Sequence, residues 1–184
     1  PAGFEYSTAA QQFPVSFPMP SDTTTSNPDL MLGEFRRTLD ERSRLSIPLE
    51  LAQCLTSTST RCVLTKERPG ALSLWQHDPW QKQLTDGLDW VSSKLDAGKM
   101  GQQVDDLQQL GRLLSSRHCH LQLMGRGRLL IPEGFREFLG VTAGGPVMVI
   151  GAAVCVEIWH PEAWLEYLRA EMPGFRQLFG ELAK

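Results

Sequence analysis

From residue 34 onward the apolar positions change period several times, and each change marks an element. Residues 34–39 (EFRRTL) and 45–47 (LSI) set apolar side chains at every second position and are predicted to be short strands, joined by the charged turn DERSR from Asp40 to Arg44. Pro48 suits the first turn of a short helix over Leu49–Leu55, where its missing N–H goes unneeded and Leu51, Ala52 and Leu55 recur at helical spacing. RCVLT and ALSLWQ follow as two strands around the turn signal Arg68-Pro69-Gly70. Asp78 is placed to cap a helix from Pro79, with Trp80, Leu84, Leu88 and Val91 on one face.

The same order then returns. Strands HLQL and LLI, helix EGFREFL, strands VMVI and CVEIW and a helix from Pro161 to about Met172 repeat it. Sliding the chain by 84 positions aligns Phe35–Trp80 with Cys119–Trp164 without a gap, and 11 of the 46 positions are identical, where chance gives only a few. The identities include Arg42 with Arg126, Arg44 with Arg128, Leu45 with Leu129, Pro48 with Pro132, Val63 with Val147, Trp75 with Trp159 and Trp80 with Trp164. One copy offers four short strands and one short helix, too little to bury a stable core alone, so the copies are expected to share one. Residues 86–116 between them read as a helical connector with apolar faces at Leu88, Val91 and Leu95, then at Leu107, Leu110, Leu113 and Leu114, broken near residues 97–101.

Composition narrows the function. The chain has 184 residues, 41% hydrophobic and 21% charged, which fits a folded soluble protein, and its net charge of -3 requires any nucleic-acid contact to come from a local basic patch. Residues 1–30 hold many Pro, Ser and Thr and no Lys or Arg, which predicts an extended or disordered arm; Met31 is then a candidate translation start. No apolar run reaches the length of a membrane span, and the first residues lack the basic start and apolar stretch of a signal peptide. Cys54, Cys62, Cys119 and Cys155 are scattered without a CxxC pair, as expected of reduced thiols. His118-Cys119-His120 reads as strand, its histidines on the face opposite Cys119, so no metal and no cofactor is expected. Gly144-Gly145 reads as a turn, the four repeated tryptophans as core or subunit-contact anchors, and no serine elbow or nucleotide fingerprint points to catalysis.

The patch is found in the two turns. Residues 36–44 carry Arg36, Arg37, Arg42 and Arg44 with two acids; residues 117–128 carry three arginines, Arg126 and Arg128 among them, two histidines and no acid. Guanidinium groups stay charged and fork onto phosphate or a guanine edge, which makes these positions candidate DNA contacts. Asp40 and Arg44 are also placed to fix the first turn by pairing with each other.

The segments LGEFRRTLDERSRLSIP, RGRLLIPEGFREFLG and VEIWHPEAW resemble the MraZ family of bacterial transcriptional regulators, from about Met31 to Met172. The resemblance implies a β-rich α+β fold in which two AbrB-like halves, residues 31–85 and 117–172, interleave as a double-split, swapped-hairpin β-barrel. A helical connector joins them, and a C-terminal helical tail at 173–184 follows. It also implies a cytoplasmic, nucleoid-associated homo-oligomer, ring-shaped, that binds double-stranded DNA at promoter repeats of a cell-division and cell-wall gene cluster; an oligomeric scaffold without operator binding is the alternative. The family's turn has Asp, three residues, then Arg. Here Asp40 and Arg44 fit it, with Ser43 in place of the usual Gly, while the second copy keeps Gly127 and Arg128 but has Met124 where Asp belongs.

Overall fold

A computed structural model describes residues 30–96 and 104–184. The expected arm at 1–29 and the expected break at 97–101 lie outside the described residues, as do the side chains of Val91 and Leu95.

The first copy folds as strand β1 (Met31–Thr38), strand β2 (Arg44–Ser46), helix α1 (Leu49–Leu55), strand β3 (Arg61–Arg68), strand β4 (Ala71–Gln76) and helix α2 (His77–Asp96). After helix α3 (Val104–Arg117) the second gives strand β5 (His118–Gln122), strand β6 (Arg128–Leu130), helix α4 (Glu133–Leu139), strand β7 (Pro146–Ala153), strand β8 (Val156–Trp159) and helix α5 (Pro161–Glu171). A single 3-10 turn then leads into helix α6 (Phe175–Leu182). Helix α2 begins at His77, two residues before the position read from Pro79, and swallows the first part of the expected connector.

The copies exchange strands. β1 pairs with β7 and β5 with β3, so the first strand of each copy lies beside the third of the other, all antiparallel. β4 pairs with β8 and β2 with β6, each with its own counterpart. Two of these pairings set equivalent residues opposite each other, Leu45 with Leu129 and Ser73 with Glu157, so an internal pseudo-two-fold axis passes through both. The six-stranded sheet runs β1-β7-β8-β4-β3-β5, and β2-β6 is a separate two-stranded ribbon. The fold is therefore mixed α+β and mainly antiparallel, but the hydrogen-bonded ladder of the expected closed barrel is open. Strands β1 and β5 are its edges, and three-residue strands in the ribbon are too short to bridge them.

One core joins the halves: Leu39, Leu45, Leu51, Leu55, Cys62, Leu64, Leu72 and Leu74 meet Leu129, Ile131, Leu139, Val147, Val149, Val156 and Ile158, nearly all fully buried. The opposite face of the sheet is also covered. Ala71, Ile150 and Trp159 pack under Trp164 and Tyr167 of α5, with the Arg68 guanidinium 5.3 Å from the Trp159 ring centre. On the related side Trp80 of α2 sits over His118 at 4.7 Å between ring centroids.

Register corrects one detail of the repeat. Leu74 and Ile158 are equivalent at the 84-residue offset, as are Phe35 and Cys119, yet the residues paired with them are Leu64 and Val149, which stand 85 apart. Five residues separate α1 from β3 and six separate α4 from β7, and a bulge between Lys66 and Arg68 restores the original spacing. The identity of Val63 with Val147 is thus coincidental. Val147 belongs to the shared core, whereas Val63 pairs with Trp75 and His120 on the outer face.

Candidate nucleic-acid interface

The ribbon carries both charged turns, one at each end. Strand alternation sends Leu45 and Leu129 inward, fully buried, and leaves Arg44, Ser46, Arg128 and Leu130 facing outward. Arg44 pairs with Leu130 and Arg128 with Ser46, so the two arginines lie diagonally, about 7–8 Å apart in the usual geometry of such a pair. Arg42 and Arg126, both exposed, stand in the turns that lead into the two strands. Arg44 and Arg128 thus share the outer face of the ribbon, and Arg42 and Arg126 are exposed in the turns at its two ends, related by the pseudo-two-fold axis.

The first turn is closed by its own carboxylate. Asp40 Oδ1 accepts the backbone N–H of Arg42 at 2.9 Å and of Arg44 at 2.8 Å, and Asp40 Oδ2 accepts Arg44 Nε at 2.6 Å. The Asp40 backbone adds an N–H to the Arg44 carbonyl and accepts the Ser43 N–H at 2.8 Å. The Arg44 backbone N–H, and then its guanidinium, hold the Asp40 carboxyl below the ordinary carboxylate value. Ser43 has φ 60°, a left-handed conformation, and is buried, so the position does require what glycine supplies freely. Its carbonyl accepts the Ile131 N–H at 3.0 Å, matching the bond from Ile47 N–H to the Gly127 carbonyl at 2.9 Å. Each turn therefore fastens the end of the partner strand that lies beside it.

Backbone alone closes the second turn. Met124 and Arg128 exchange both N–H bonds, at 2.8 and 2.9 Å, and Gly125 and Gly127 take φ of 54° and 80°. Met124 is 55% exposed where the first copy has its carboxylate. Among the described residues neither Arg126 nor Arg128 forms an ion pair.

Arg36 and Arg37 do not join this face as a pair. They are neighbours on β1, and the pleat turns them to opposite sides: Arg36 is exposed opposite Met148, while Arg37 shares the inner face with Phe35. The Arg37 guanidinium lies 5.5 Å from the Phe35 ring centre and donates to the Arg36 carbonyl at 3.0 Å.

An arginine and three histidines gather near the second turn. Arg61 is opposite Gln122, and Leu123 N–H reaches the Thr60 carbonyl at 3.0 Å, which sets an open depression lined by Arg61, His77, Gln81, His120 and Gln122 next to Met124. The rings of His77 and His120 are 5.2 Å apart and those of His118 and His120 are 5.7 Å apart. Burial, then the neighbouring His77, His118 and Arg61, push the His120 pKa down. Asp78, in the first turn of α2, accepts from Arg61 at 3.2 Å and pairs with His77 at 2.7 Å, which lowers its own pKa, His77 being the main cause. As alternation implies, Cys119 packs against the shared core instead of joining these histidines. Sequence reading passed over Arg61 and His77 because only the β3–β5 pairing brings them to this end.

Comparison with known proteins gives the chain its family. The sequence model of the family described as "MraZ protein, putative antitoxin-like" matches residues 119–178. The chain is 30% identical over 152 residues to "Transcriptional regulator MraZ" of Roseiflexus castenholzii (strain DSM 13941 / HLO8), covering 83% of this chain and 95% of that one. This chain belongs to the MraZ family. A MraZ protein of Syntrophomonas wolfei subsp. wolfei, of the same name, is 28% identical over 149 residues, 81% of this chain and 94% of its own. Another from Clostridium beijerinckii is 28% identical over 138 residues, 75% of this chain and 87% of its own. The region that matches the MraZ family description runs from β5 through the second turn to α6, so it includes the copy that lacks the acidic turn residue.

Proposed function

We propose that this MraZ-family chain is a DNA-binding transcriptional regulator whose ribbon meets duplex DNA with Arg42, Arg44, Arg126 and Arg128. One observation carries the reading: Arg44 and Arg128 share the outer face of a ribbon whose two-fold-related turns also expose Arg42 and Arg126, while the chain as a whole is acidic. Guanidinium groups on an exposed ribbon neutralise phosphate and release its counterions, and a two-fold arrangement of contacts suits the approximate two-fold symmetry of a duplex. The relatives' printed names support the regulatory role. Binding at promoter repeats of a cell-division and cell-wall cluster, in the cytoplasm at the nucleoid, belongs to the same reading. So does a homo-oligomeric ring of swapped-hairpin halves, in which each weak contact raises the effective concentration of the next. No helix of the described residues is long and apolar enough to cross a membrane.

The alternative, an oligomeric scaffold without operator binding, draws on the apolar face that α6 leaves exposed at Phe175, Leu178, Phe179 and Leu182. The deciding test is binding to the duplex upstream of the chain's own gene across a salt series. The wild type should bind, with log affinity falling by roughly 0.9 per phosphate contact for each unit of log salt. Replacing Arg42, Arg126 and Arg128 together by Ala should flatten that slope, with Arg44 left in place to hold the turn. Absence of wild-type binding to any upstream fragment, or an unchanged slope in the triple variant, sinks the DNA reading and leaves the scaffold.

A further inference from the structure

We propose that His77, His118 and His120 form an acid-sensitive latch, which seats helix α2 on the β3–β5 end of the sheet while the rings are neutral and lets α2 go, with the connector it begins, in mild acid. Among the described residues α2 has few other attachments. Its half-buried positions are His77, Trp80, Gln81 and Leu84, one stripe at helical spacing over the first two turns, and residues 85–89 are all exposed. Two of those four rest on histidines of β5. The Trp80 ring lies 4.7 Å from that of His118 and 6.1 Å from that of His120, and the His77 ring lies 5.2 Å from that of His120. His118 and His120 stand two residues apart on one face of the strand, their rings 5.7 Å from each other. The three imidazoles thus form a row with His120 in the middle.

Histidine is the side chain whose ordinary change of charge falls in the mildly acid range. With the rings neutral, the permanent charges around them cancel: Arg61 of β3 bonds to Asp78 of α2 at 3.2 Å, and Arg117 of α3 to Glu67 of β3 at 2.9 Å. Lys82 of α2 is exposed and adds a cation, and β4 brings the uncharged Trp75 to this face. Each proton that an imidazole takes up therefore adds an unbalanced positive charge next to another ring and to Arg61. The acids at hand, Asp78 and Glu67, already serve Arg61, His77 and Arg117. Partial burial, and then His77, His118 and Arg61, hold the His120 pKa below its ordinary value, which fixes the sign: the seated form is favoured above about pH 6.5 and is undermined as the pH falls below it. The related helix α5 has a seat of another kind. Trp164, the counterpart of Trp80, and Tyr167 pack on Trp159 beside the Arg68 guanidinium, with no histidine ring in the stack. His160 stands at the α5 N-cap, where its Nδ1 accepts the Glu162 N–H at 3.3 Å. Strand pairing does not pass through α2, so its release leaves the exchanged sheet closed.

Hydrogen exchange of the full chain, read by peptide mass spectrometry at about pH 7.5 and about pH 5.5 and corrected for the intrinsic exchange rate, tests the latch. At the lower pH a free histidine is protonated about tenfold over its neutral form, so each ring that has to stay neutral raises the opening equilibrium of α2 by up to about tenfold. Protection of α2 should therefore fall at least about threefold, while β4 and β8 keep theirs. The fall should shrink in His120→Gln and vanish when His118→Gln is added to it, and His160→Gln should leave it unchanged. If the double variant melts far below the wild type, His77→Gln takes its place, since it removes one imidazole from the helix and none from the sheet; it too should reduce the fall. The latch is overturned by equal protection of α2 at the two pH values, by a loss that β4 and β8 share, or by a loss that persists undiminished in the folded histidine variants.

Discussion

Gly127 offers the sharpest test of how the ribbon is held, because two separable terms act on it. Its φ of 80° costs an L-residue about 1–2 kcal/mol, and a Cβ there would stand 2.7 Å from the Ala52 Cβ of α1 and 3.2 Å from the Ile47 carbonyl oxygen. Both neighbours are tightly placed: Ala52 is buried in the shared core, and Ile47 donates its N–H to the Gly127 carbonyl. Overlap of this kind in a packed site costs about 1–3 kcal/mol, so Gly127→Ala should destabilise by about 2–5 kcal/mol. At this chain length each kcal/mol moves the midpoint by about 2–4 °C, which predicts a fall of roughly 5–15 °C. A double-mutant cycle separates the terms. Ala52→Gly alone costs about 1 kcal/mol as a glycine inside a helix, but in the Gly127→Ala background it removes the overlap and leaves the strain. The cycle should therefore show a favourable coupling of about 1–3 kcal/mol by denaturant or thermal unfolding. Ser43→Gly is the companion measurement. That residue already bears the strain at φ 60°, and releasing it is offset by glycine's greater freedom in the unfolded chain, so a gain of no more than about 1 kcal/mol is expected. A Gly127→Ala protein melting within a degree or two of the wild type, or a cycle with no coupling, refutes the close packing of turn against α1.

Three further outcomes follow from titratable groups. Asp40 has a folded pKa below its ordinary value, so its contribution to stability is present above about pH 3.8 and lost as the pH falls through the depressed value; Asp40→Asn should remove that part of the acid dependence, and an unchanged acid limb speaks against the clamp. His120 likewise has a depressed pKa, so its contribution is present above about pH 6.5 and lost as the pH falls; His120→Gln should flatten unfolding free energy against pH just below that value. Burial pushes the Cys62 thiol up to about 11 and Cys155 up to about 12, so in the native protein at pH 8 a thiol reagent should label Cys54 first, as read by peptide mass spectrometry; equal labelling of Cys62 would show that β3 is open.

Element type was legible because each period in the sequence had a single structural answer. Helices Leu49–Leu55 and Glu133–Leu139 and strand Ala71–Gln76 lie where spacing, proline and turn signals put them. Strand exchange between the copies had no signal in local pattern, and here the resemblance implied it where periodicity could not. The gapless alignment also concealed the one-residue slip of β3. Valine suits a buried strand on either face, so Val63 and Val147 could match by identity while lying on different surfaces, and only the bulge at Lys66–Arg68 kept the neighbouring tryptophans in phase.

The candidate site was legible in the same uneven way. Turn charge named Asp40, Arg44, Arg126 and Arg128 directly, but proximity in sequence grouped Arg36 with Arg37, which the pleat sets apart. What the sequence presented as a defect of the second copy, Met124 in place of an acid, takes a different meaning from the hydrogen bonds. The turn keeps its shape through the Met124–Arg128 backbone pair and through Gly125 and Gly127, so the carboxylate is dispensable for geometry there. Two identical chains meeting at a true two-fold axis would have to carry the same residue in both turns. Joining the halves in one chain removes that constraint: Asp40 can fill one turn and stiffen the ribbon while its counterpart stays free of carboxylate, with Leu45 and Leu129 paired across the axis to hold both turns on one ribbon.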